Sequence, residues 1–384
     1  MKIAIDVRVI EREMSGIGRY LLGFLEYILE TDNKNEYFLF SYGKLLKFEK
    51  KGFKVIATKK SKIFPEKIYN IYWLMSIVPK LVKKHKIDIF FNPNHYLPLK
   101  NISAKKIITV HDLSHKQESS YKNFIYKIFY LNWLLPKSIK KADLILTVSE
   151  NSKKDIIKYF NIDDKKIKVI YPAACKKFKP RDLNSEKFKI FTEKIKEKYN
   201  LPKKFILYVG RIENRKNIKS ILRIARKIEN SPKEGEIKFV LVGQSGYSGF
   251  KEIIKEINKS KNVIYIKQVE DNELPFFYNM SEALIYPSFY EGFGLGVLEA
   301  MQSGTPVLTS NNSSLPEVVG EGGIMHRVDE YEMFLKDIIR LTCNKNFHKK
   351  MSIAAQKQAS KFSWKKSTEK LIKIFSVTAK DENE

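Results

Sequence analysis

Short apolar segments rich in β-branched residues alternate with helix-like segments along almost the whole chain of 384 residues. The first half contains the candidate strands KIAIDVRVI, KIDIFFN, KIITVHDL, DLILTVS and KIKVIYPA. The second half contains FILYVGRI, EIKFVLVGQ, NVIYIKQV, EALIYPS and TPVLTS. Continuous apolar strands separated by helices are typical of parallel βαβ units. The pattern therefore predicts an α/β chain with two Rossmann-like sheets in tandem.

The chain is longer than one hydrophobic core usually serves, so two domains are expected. We place the boundary near YPAACKKFKPRD (171–182), which gives an N-terminal domain of residues 1–172 and a C-terminal domain of residues 173–362. Residues 363–384 hold a last helix, SWKKSTEKLIKIF, which could pack back on the first domain. The tail KDENE is predicted to be disordered.

The cysteine content and the apolar runs indicate a cytoplasmic protein. Only Cys175 and Cys343 are present, which suits a reducing compartment. The N-terminus MKIAIDVRVI reads as a first strand rather than a signal peptide. No stretch approaches the eighteen or so apolar residues of a membrane-spanning helix.

The net charge of +28 has several interpretations: a solvated lysine-rich surface, an anionic membrane contact, an acidic substrate or nucleic acid. The basic residues avoid one region, since none occurs in the 59 residues between Lys267 and Arg327. Eight acids lie in the same region. This pattern indicates a buried or chemically committed segment there.

Open parallel sheets bind ligands outside the carboxyl ends of their strands. In the first domain, Gly16 and Gly18 follow the first strand in MSGIGRY, ahead of a helix expected near Tyr20. They allow close approach to a ligand, or they form an ordinary glycine turn. His111 follows KIITV and either donates to a substrate or bonds only its own loop. His111, Asp112 and His115 also suggest a metal site, but they lack the i, i+4 helical frame that would aim them at one ion.

In the second domain, Arg211 and Lys216 follow FILYVG in one loop before a helix. Two cations beside a helix N-terminus make an anion site that suits a diphosphate.

The segment EGFGLGVLEA carries Glu291 and Glu299 around three glycines. Because glycine is unfavourable in a helix interior, we predict a loop over Glu291–Gly294 and a helix that begins near Leu295. The carboxylates could accept hydrogen bonds from the vicinal hydroxyls of a ribose or another sugar. They could also be capping or surface glutamates.

Together these segments resemble family 4 of the retaining GT-B glycosyltransferases, the "glycosyl transferases group 1" family. Glu291 and Glu299 match its E-x7-E motif, and Gly210, Arg211 and Lys216 match its G-R-x4-K pattern. SGIGRY, TVHDL and SGTPVLTSNNSSLPEVVGEGG (303–323) match further motifs in the family's order. The resemblance implies two Rossmann-like domains that face each other across a cleft.

The resemblance also implies roles around the reacting sugar. Arg211 and Lys216 would neutralise the departing diphosphate, and Glu291 would contact the transferred sugar. Glu299 would hold the ribose hydroxyls, and His111 would contact the sugar from the first domain.

Other donor contacts implied by the resemblance come from the backbone and from glycines. The amides of Phe293, Gly294 and Leu295 would bind the phosphates and the sugar. Gly16 and Gly18 would let their loop lie against the donor. The nucleobase would lie near Gly243 and Val269, although Gln268 stands where the family has a glycine.

The implied activity is hexose transfer from a nucleotide-diphosphate sugar, with retention and without a metal or other cofactor, to a glycan or lipid-linked acceptor. The pattern IDVRVIEREMSGIGRY is most similar to mannosyltransferases of bacterial cell-surface polysaccharide and lipopolysaccharide synthesis, which favours GDP-mannose. UDP-glucose and UDP-N-acetylglucosamine are the alternatives.

The segment YKNFIYKIFYLNWLLPKSIKK (121–141) mixes aromatic and basic residues. It is either a peripheral contact with an anionic membrane or a core helix with a lysine fringe. Rival functions are a basic nucleic-acid-binding protein, whose affinity would fall steeply with salt, and an epimerase or phosphorylase of the same fold.

Overall fold

The computed structural model describes residues 1–11, 16–61, 65–116, 127–182, 185–229, 236–246 and 249–380. Three predictions lie partly outside these ranges: the tail KDENE beyond Lys380, the segment 121–141 before Lys127, and the loop MSGIGRY before Gly16.

The chain divides into two compact units. The first contains the described residues of Met1–His115, Asn123–Pro172 and Ser363–Glu384, and the second contains those of Lys116–Lys122 and Ala173–Phe362. Among the described residues, no helix is both long enough and apolar enough to cross a lipid bilayer.

The first unit is built on a sheet with seven described strands, all parallel, in the order β3-β2-β1-β4-β5-β6-β7. The strands are β1 (Lys2–Asp6), β2 (Glu36–Ser41), β3 (Lys54–Ala57), β4 (Ile89–Asn92), β5 (Lys105–Val110), β6 (Leu144–Thr147) and β7 (Ile167–Val169). The described α-helices before β7 are α1 (Gly16–Thr31), α2 (Leu46–Glu49), α3 (Glu66–Tyr72), α4 (Val78–His85), α5 (Leu135–Lys141) and α6 (Glu150–Phe160). Two π-helical segments, Trp73–Ile77 and Lys127–Leu134, lead into α4 and α5.

The second unit is built on a sheet with six described strands, again all parallel, in the order β10-β9-β8-β11-β12-β13. Its strands are β8 (Phe205–Val209), β9 (Lys238–Val242), β10 (Val263–Ile266), β11 (Ala283–Tyr286), β12 (Val307–Ser310) and β13 (Ile324–His326). Its helices are α7 (Glu186–Tyr199), α8 (Ile218–Glu229), α9 (Phe250–Ile257), α10 (Leu274–Met280), α11 (Leu295–Gln302), α12 (Leu315–Val319), α13 (Tyr331–Cys343) and α14 (Lys345–Ala359). The two predicted Rossmann-like sheets are confirmed.

Ten of the described strands match predicted ones, and β2, β3 and β13 were not predicted. β3 and β13 have four and three residues and lie at the edges of their sheets. A segment this short is too brief to show the alternating pattern of a strand in the sequence. It becomes a strand only because it pairs with a neighbouring strand in the folded sheet.

Both sheets contain a switch point at which the strand order reverses. β1 lies between β2 and β4 in the first sheet, and β8 lies between β9 and β11 in the second. In open parallel sheets, ligands bind outside the carboxyl ends of the two strands on either side of such a point. The residues after β1 and β4, and those after β8 and β11, are therefore placed for binding.

The last helix, α15 (Trp364–Lys380), belongs to the first unit and packs on α1. Trp364 is 6% exposed, and its ring meets those of Tyr20 and Phe24 edge to face. A Cβ added to Gly23 would lie 2.2 Å from Cε2 of this indole. The missing side chain at Gly23 thus makes room for the tryptophan that attaches α15 to the first unit.

We predict that Trp364→Ala destabilises the first unit by about 3–5 kcal/mol, because it leaves a cavity between α1 and α15. Urea denaturation followed by far-UV circular dichroism measures the change. The control is Trp133→Ala, whose side chain is 40% exposed and should change the free energy of unfolding by less than about 1 kcal/mol. Equal effects of the two substitutions would contradict this account of how α15 is attached.

Candidate active site

The loop after β8 is held against the loop after β9 by close backbone packing. Ile212 N–H donates to the carbonyl of Gln244 at 2.9 Å, and Gly246 N–H donates back to Ile212 at 3.0 Å. A Cβ at Gly243 would lie 1.8 Å from the carbonyl oxygen of Gly210. Gly243 is therefore required where the two loops touch, and a Cβ at Gly210 would lie 2.7 Å from the hydroxyl of Tyr208.

Lys216, at the end of this loop, lies in a buried ion pair with Glu291. Its Nζ is 2.5 Å from Glu291 Oε1 and donates to the hydroxyl of Tyr286 at 3.1 Å. Lys216 and Glu291 are each 6% exposed. Tyr286 is the last residue of β11. The adjacency of β8 and β11 at the switch point thus joins two segments that are 75 residues apart in the sequence.

Arg215 is a second cation at Glu291 and was missed by the sequence analysis. Its guanidinium donates to the carbonyl of Tyr290 at 2.6 Å and to Glu213 Oε1 at 2.8 Å, and it lies 3.5 Å from Glu291 Oε2. Glu213 is 1% exposed. The two cations and two carboxylates balance in charge, as expected of charges that are buried together.

The side chain of Arg211, which was predicted to act beside Lys216, is exposed. One feature of the sequence could have identified Arg215: it stands next to Lys216 in RIENRKN. Glu213, the one acid of that segment, is the natural partner for a second cation. The sequence could not show which arginine of that loop turns inward.

The pair is ionised at neutral pH. Burial by itself would raise the pKa of Glu291, but the charges of Lys216 and Arg215 outweigh it and hold this pKa below 4.5. Burial would lower the pKa of Lys216, and Glu291 reverses that effect, so its pKa lies above the ordinary value. An ammonium group has three N–H donors, and the described residues occupy two of them. The third is available to a ligand.

The predicted loop at Glu291–Gly294 and helix start at Leu295 are confirmed, since α11 begins at Leu295. Gly294 has a φ of 99°, and a Cβ there would lie 2.9 Å from Leu315. It provides no side-chain cap. The first amides of a helix have no acceptor within the helix, so those of Leu295 and Gly296 remain as donors for an anion.

The backbone of this loop is held from both sides. Glu291 N–H donates to Ser313 Oγ at 2.9 Å, and Ser314 Oγ donates to the carbonyl of Glu291 at 2.9 Å. Phe293 is 5% exposed, with its ring against Phe362. The amides are thereby fixed in place before any ligand arrives.

Glu299 lies in the second turn of α11 and is 2% exposed. The hydroxyl of Tyr278 donates to its Oε2 at 3.2 Å. The interpretation of Glu291 and Glu299 as surface glutamates is therefore wrong, because both carboxylates are buried.

Val269 is half-buried just after β10, and Gln268 beside it is exposed. The amide of Gln268 accepts from Gln244 at 3.4 Å, so it bridges the ends of β9 and β10. The nucleobase is predicted to lie here.

In the first unit, His111 follows β5 and bonds its neighbouring loop. Its Nε2 lies 2.8 Å from the carbonyl of Pro93, and because a carbonyl only accepts, Nε2 carries the proton. Burial lowers the pKa of His111, so the ring is neutral at pH 7 and Nδ1 is an acceptor. Of the two roles predicted for His111, the structure contains the bond to a loop, and contact with a substrate stays a prediction. Among the described residues, no group of three or more His, Cys, Asp or Glu side chains is placed to hold a metal.

The expected glycine loop in MSGIGRY is wrong in its bounds. α1 begins at Gly16 rather than near Tyr20, so Gly16 and Gly18 lie in its first turn. Gly16 is exposed and a Cβ there would meet nothing within 4 Å, whereas Gly18 is buried. Residues 12–15 lie outside the described ranges.

Two family models match the chain in tandem. Residues 14–174 match Glycosyltransferase Family 4, and residues 189–358 match Glycosyl transferases group 1.

Curated relatives include the O-antigen chain mannosyltransferase B of Escherichia coli, 28% identical, with 98% of this chain and 99% of the relative aligned. The O-antigen chain mannosyltransferase RfbU of Salmonella typhimurium is 30% identical, over 77% of this chain and 79% of the relative. Among solved structures, a glycosyltransferase from Rickettsia africae aligns over 99% of this chain and 98% of its own, with a TM-score of 0.72 and 21% identity. WaaG, a glycosyltransferase involved in lipopolysaccharide biosynthesis, has a TM-score of 0.72 over 97% of this chain and 99% of its own, with 14% identity.

We predict that Glu291→Gln destabilises the second unit by about 3 kcal/mol at neutral pH, because Lys216 is left buried without its counter-charge. The pKa of Glu291 is depressed in the folded state, so its stabilising effect is present above the ordinary value of 4.5 and is lost as the pH falls through the folded pKa. The difference from wild type should therefore shrink as the pH drops below 4.5.

Urea denaturation at several pH values measures this difference. The matched control is Glu252→Gln, at an exposed position on α9, which should leave stability nearly unchanged throughout. A difference that stays constant down to acidic pH would refute the ion-pair account.

Proposed function

Because this chain belongs to family 4 of the GT-B glycosyltransferases, the glycosyl transferases group 1, we propose that it transfers mannose from GDP-mannose to a glycan or lipid-linked acceptor, with retention of configuration. The protein is a glycosyltransferase, and the donor, the stereochemistry and the acceptor are the proposal. The observation that carries it is the convergence of Lys216, Glu291 and the first amides of α11 at the carboxyl ends of β8 and β11.

This convergence suits a departing nucleoside diphosphate. As the bond between the sugar and the phosphate breaks, negative charge grows on the leaving oxygen. The third N–H of Lys216 and the amides of Leu295 and Gly296 are donors held in place for it. Preorganised donors of this kind stabilise such charge without having to reorganise. The positive charge comes from the protein, and we propose that no metal takes part.

The two glutamates have separate roles in this proposal. Glu291 is held as a carboxylate by Lys216 and Arg215, so it can accept from a hydroxyl of the transferred sugar. Glu299 is buried and accepts from Tyr278, and its carboxylate is proposed to bind the ribose hydroxyls. His111, in the first unit, accepts from a sugar hydroxyl through Nδ1.

Mannose is favoured because the relatives that align over most of the chain are named O-antigen mannosyltransferases. UDP-glucose or UDP-N-acetylglucosamine is the alternative donor of the same reaction. The acceptor is a glycan of cell-surface polysaccharide or lipopolysaccharide synthesis.

Peripheral contact with the inner face of the membrane is part of the proposal. Trp133 is 40% exposed, and the Lys137 ammonium lies 4.1 Å from the centre of its ring. An exposed aromatic ring beside a cation suits the interface of an anionic bilayer.

We predict that GDP-mannose and GDP raise the melting temperature of the protein more than UDP, ADP or their sugars do, because a ligand that binds only the folded state stabilises it. At a hundred times its dissociation constant, a ligand contributes about 2.7 kcal/mol. A thermal-shift screen measures this. If a uridine nucleotide stabilises the protein most, the donor is a UDP-sugar rather than GDP-mannose. If no nucleotide changes the melting temperature, the result counts against the whole assignment.

We predict that Lys216→Ala and Glu299→Ala each lower kcat for transfer by at least about a hundredfold, as expected when a preorganised charge contact is lost. Far-UV circular dichroism should show that the fold survives. The controls are Lys219→Ala on α8 and Glu252→Ala on α9, which remove the same side chains from exposed positions. Full activity of either site variant would overturn the assignment of that residue.

A further inference from the structure

A cavity of about 240 Å³ lies in the first unit, outside the carboxyl ends of β1 and β4. Its polar lining includes Asp6, Arg8, Asn70 and Asn94, and its aromatic lining includes Tyr96 and Tyr130. β1 and β4 are the two strands on either side of this sheet's switch point. The cavity thus lies where a sheet of this topology binds its ligand.

The cation of the cavity is fully engaged by the protein. Arg8 Nε and Nη2 donate to the two carboxylate oxygens of Asp6, at 2.9 and 2.7 Å, and Nη1 donates to the hydroxyl of Tyr42 at 2.8 Å. The guanidinium also lies 3.7 Å from the ring centre of Trp73. A group held by a bidentate pair and a ring face cannot turn toward a ligand without breaking these contacts.

The described lining of the cavity therefore carries no uncompensated charge. Arg8 and Asp6 are its one cation and one anion, and they form a pair. A phosphate in the cavity would meet the Asp6 carboxylate without gaining a cation of its own. This disfavours an anionic ligand.

The remaining groups suit a neutral sugar ring. Asn70 Oδ1 accepts from Tyr42, and Asn94 Oδ1 accepts from the amide of His95. Within the described chain, neither asparagine NH₂ group has an acceptor, so both can donate into the cavity. The Asp6 oxygens can accept further hydrogen bonds. Around these groups lie Tyr96, Tyr130 and aliphatic side chains, which suit the C–H faces of a pyranose.

The cavity adjoins His111 through a single residue. Pro93 lines the cavity, and its carbonyl accepts the Nε2 proton of His111 at 2.8 Å. A ligand in the cavity would therefore lie beside the residue that we propose to contact the transferred sugar.

We propose that this cavity binds a neutral pyranose of the acceptor glycan and selects against phosphorylated acceptors. Its assignment to the acceptor rests on the proposed glycosyl transfer. The binding of a neutral sugar rests on the lining itself.

The test uses the full chain with Ile71→Trp, which fills the cavity from α3. The matched control is Ile68→Trp, the same substitution on the same helix at a position that is 55% exposed. A second variant, Asn94→Ala, removes one donor, with Asn101→Ala at an exposed position as its control.

The first measurement is saturation-transfer NMR with the methyl α-glycosides of mannose, glucose and N-acetylglucosamine, and with mannose 6-phosphate. We expect at least one neutral glycoside to bind the wild type and Ile68→Trp, to lose its signal in Ile71→Trp, and to be weakened several-fold in Asn94→Ala but not in Asn101→Ala. Mannose 6-phosphate should bind no better than the neutral sugars. An unchanged signal in Ile71→Trp, or preferred binding of the phosphorylated sugar, would overturn the proposal.

The second measurement separates this proposal from the proposed function. Nucleotide stabilisation and slow hydrolysis of the donor by water should be equal in wild type and Ile71→Trp, while the KM for the glycoside acceptor rises at least about tenfold, a factor equivalent to about 1.4 kcal/mol. If no variant responds to a nucleotide but glycoside binding still depends on Ile71, the proposed reaction fails and the sugar site stands. If nucleotides bind and the acceptor KM does not change, the sugar site fails alone.

Discussion

The ion pair between Lys216 and Glu291 joins the two halves of the second unit's site. Lys216 comes from the loop after β8 and Glu291 from the loop after β11, and the pair is buried where these strands are neighbours. Arg215 and Glu213 balance the charges, so no uncompensated ion is left in the interior. The pair thereby fixes the loop from which α11 begins, and with it the direction of the amides proposed to receive a diphosphate.

The first unit uses the same topology with different chemistry. Its switch point, between β1 and β4, also holds an arginine and a carboxylate, but the half-buried Arg8 and the buried Asp6 satisfy each other. Lys216, in contrast, keeps one N–H donor beyond its contacts with Glu291 and Tyr286. One switch point is therefore suited to an anion and the other to a neutral, hydroxyl-rich ligand. The proposed donor, a nucleotide-diphosphate sugar, is an anion, and the proposed acceptor is a neutral glycan rich in hydroxyls.

Local patterns predicted much of the site. The glycines of EGFGLGVLEA placed the start of α11 correctly, because glycine avoids helix interiors and adopts the φ of 99° seen at Gly294. The same reasoning failed for MSGIGRY, where Gly16 and Gly18 are helical. At a helix start the cost of glycine is small, and α1 gains instead from burying Tyr20 and Phe24 against α15.

The sequence by itself determined the parallel α/β class, ten of the described strands and the segments that follow those strands, because these depend on periodicity and local backbone preference. Only the tertiary structure decided that the guanidinium of Arg215 lies beside Glu291 and that Nε2 of His111 donates its hydrogen bond to the carbonyl of Pro93. It also decided that Asp6 neutralises Arg8 within the cavity of the first unit. The contacts of Arg215 and His111 depend on which strands become neighbours, whereas Arg8 and Asp6 are only two residues apart and meet at the end of β1. Strand pairing brings together residues far apart in the sequence, and burial then requires every charge among them to find a partner.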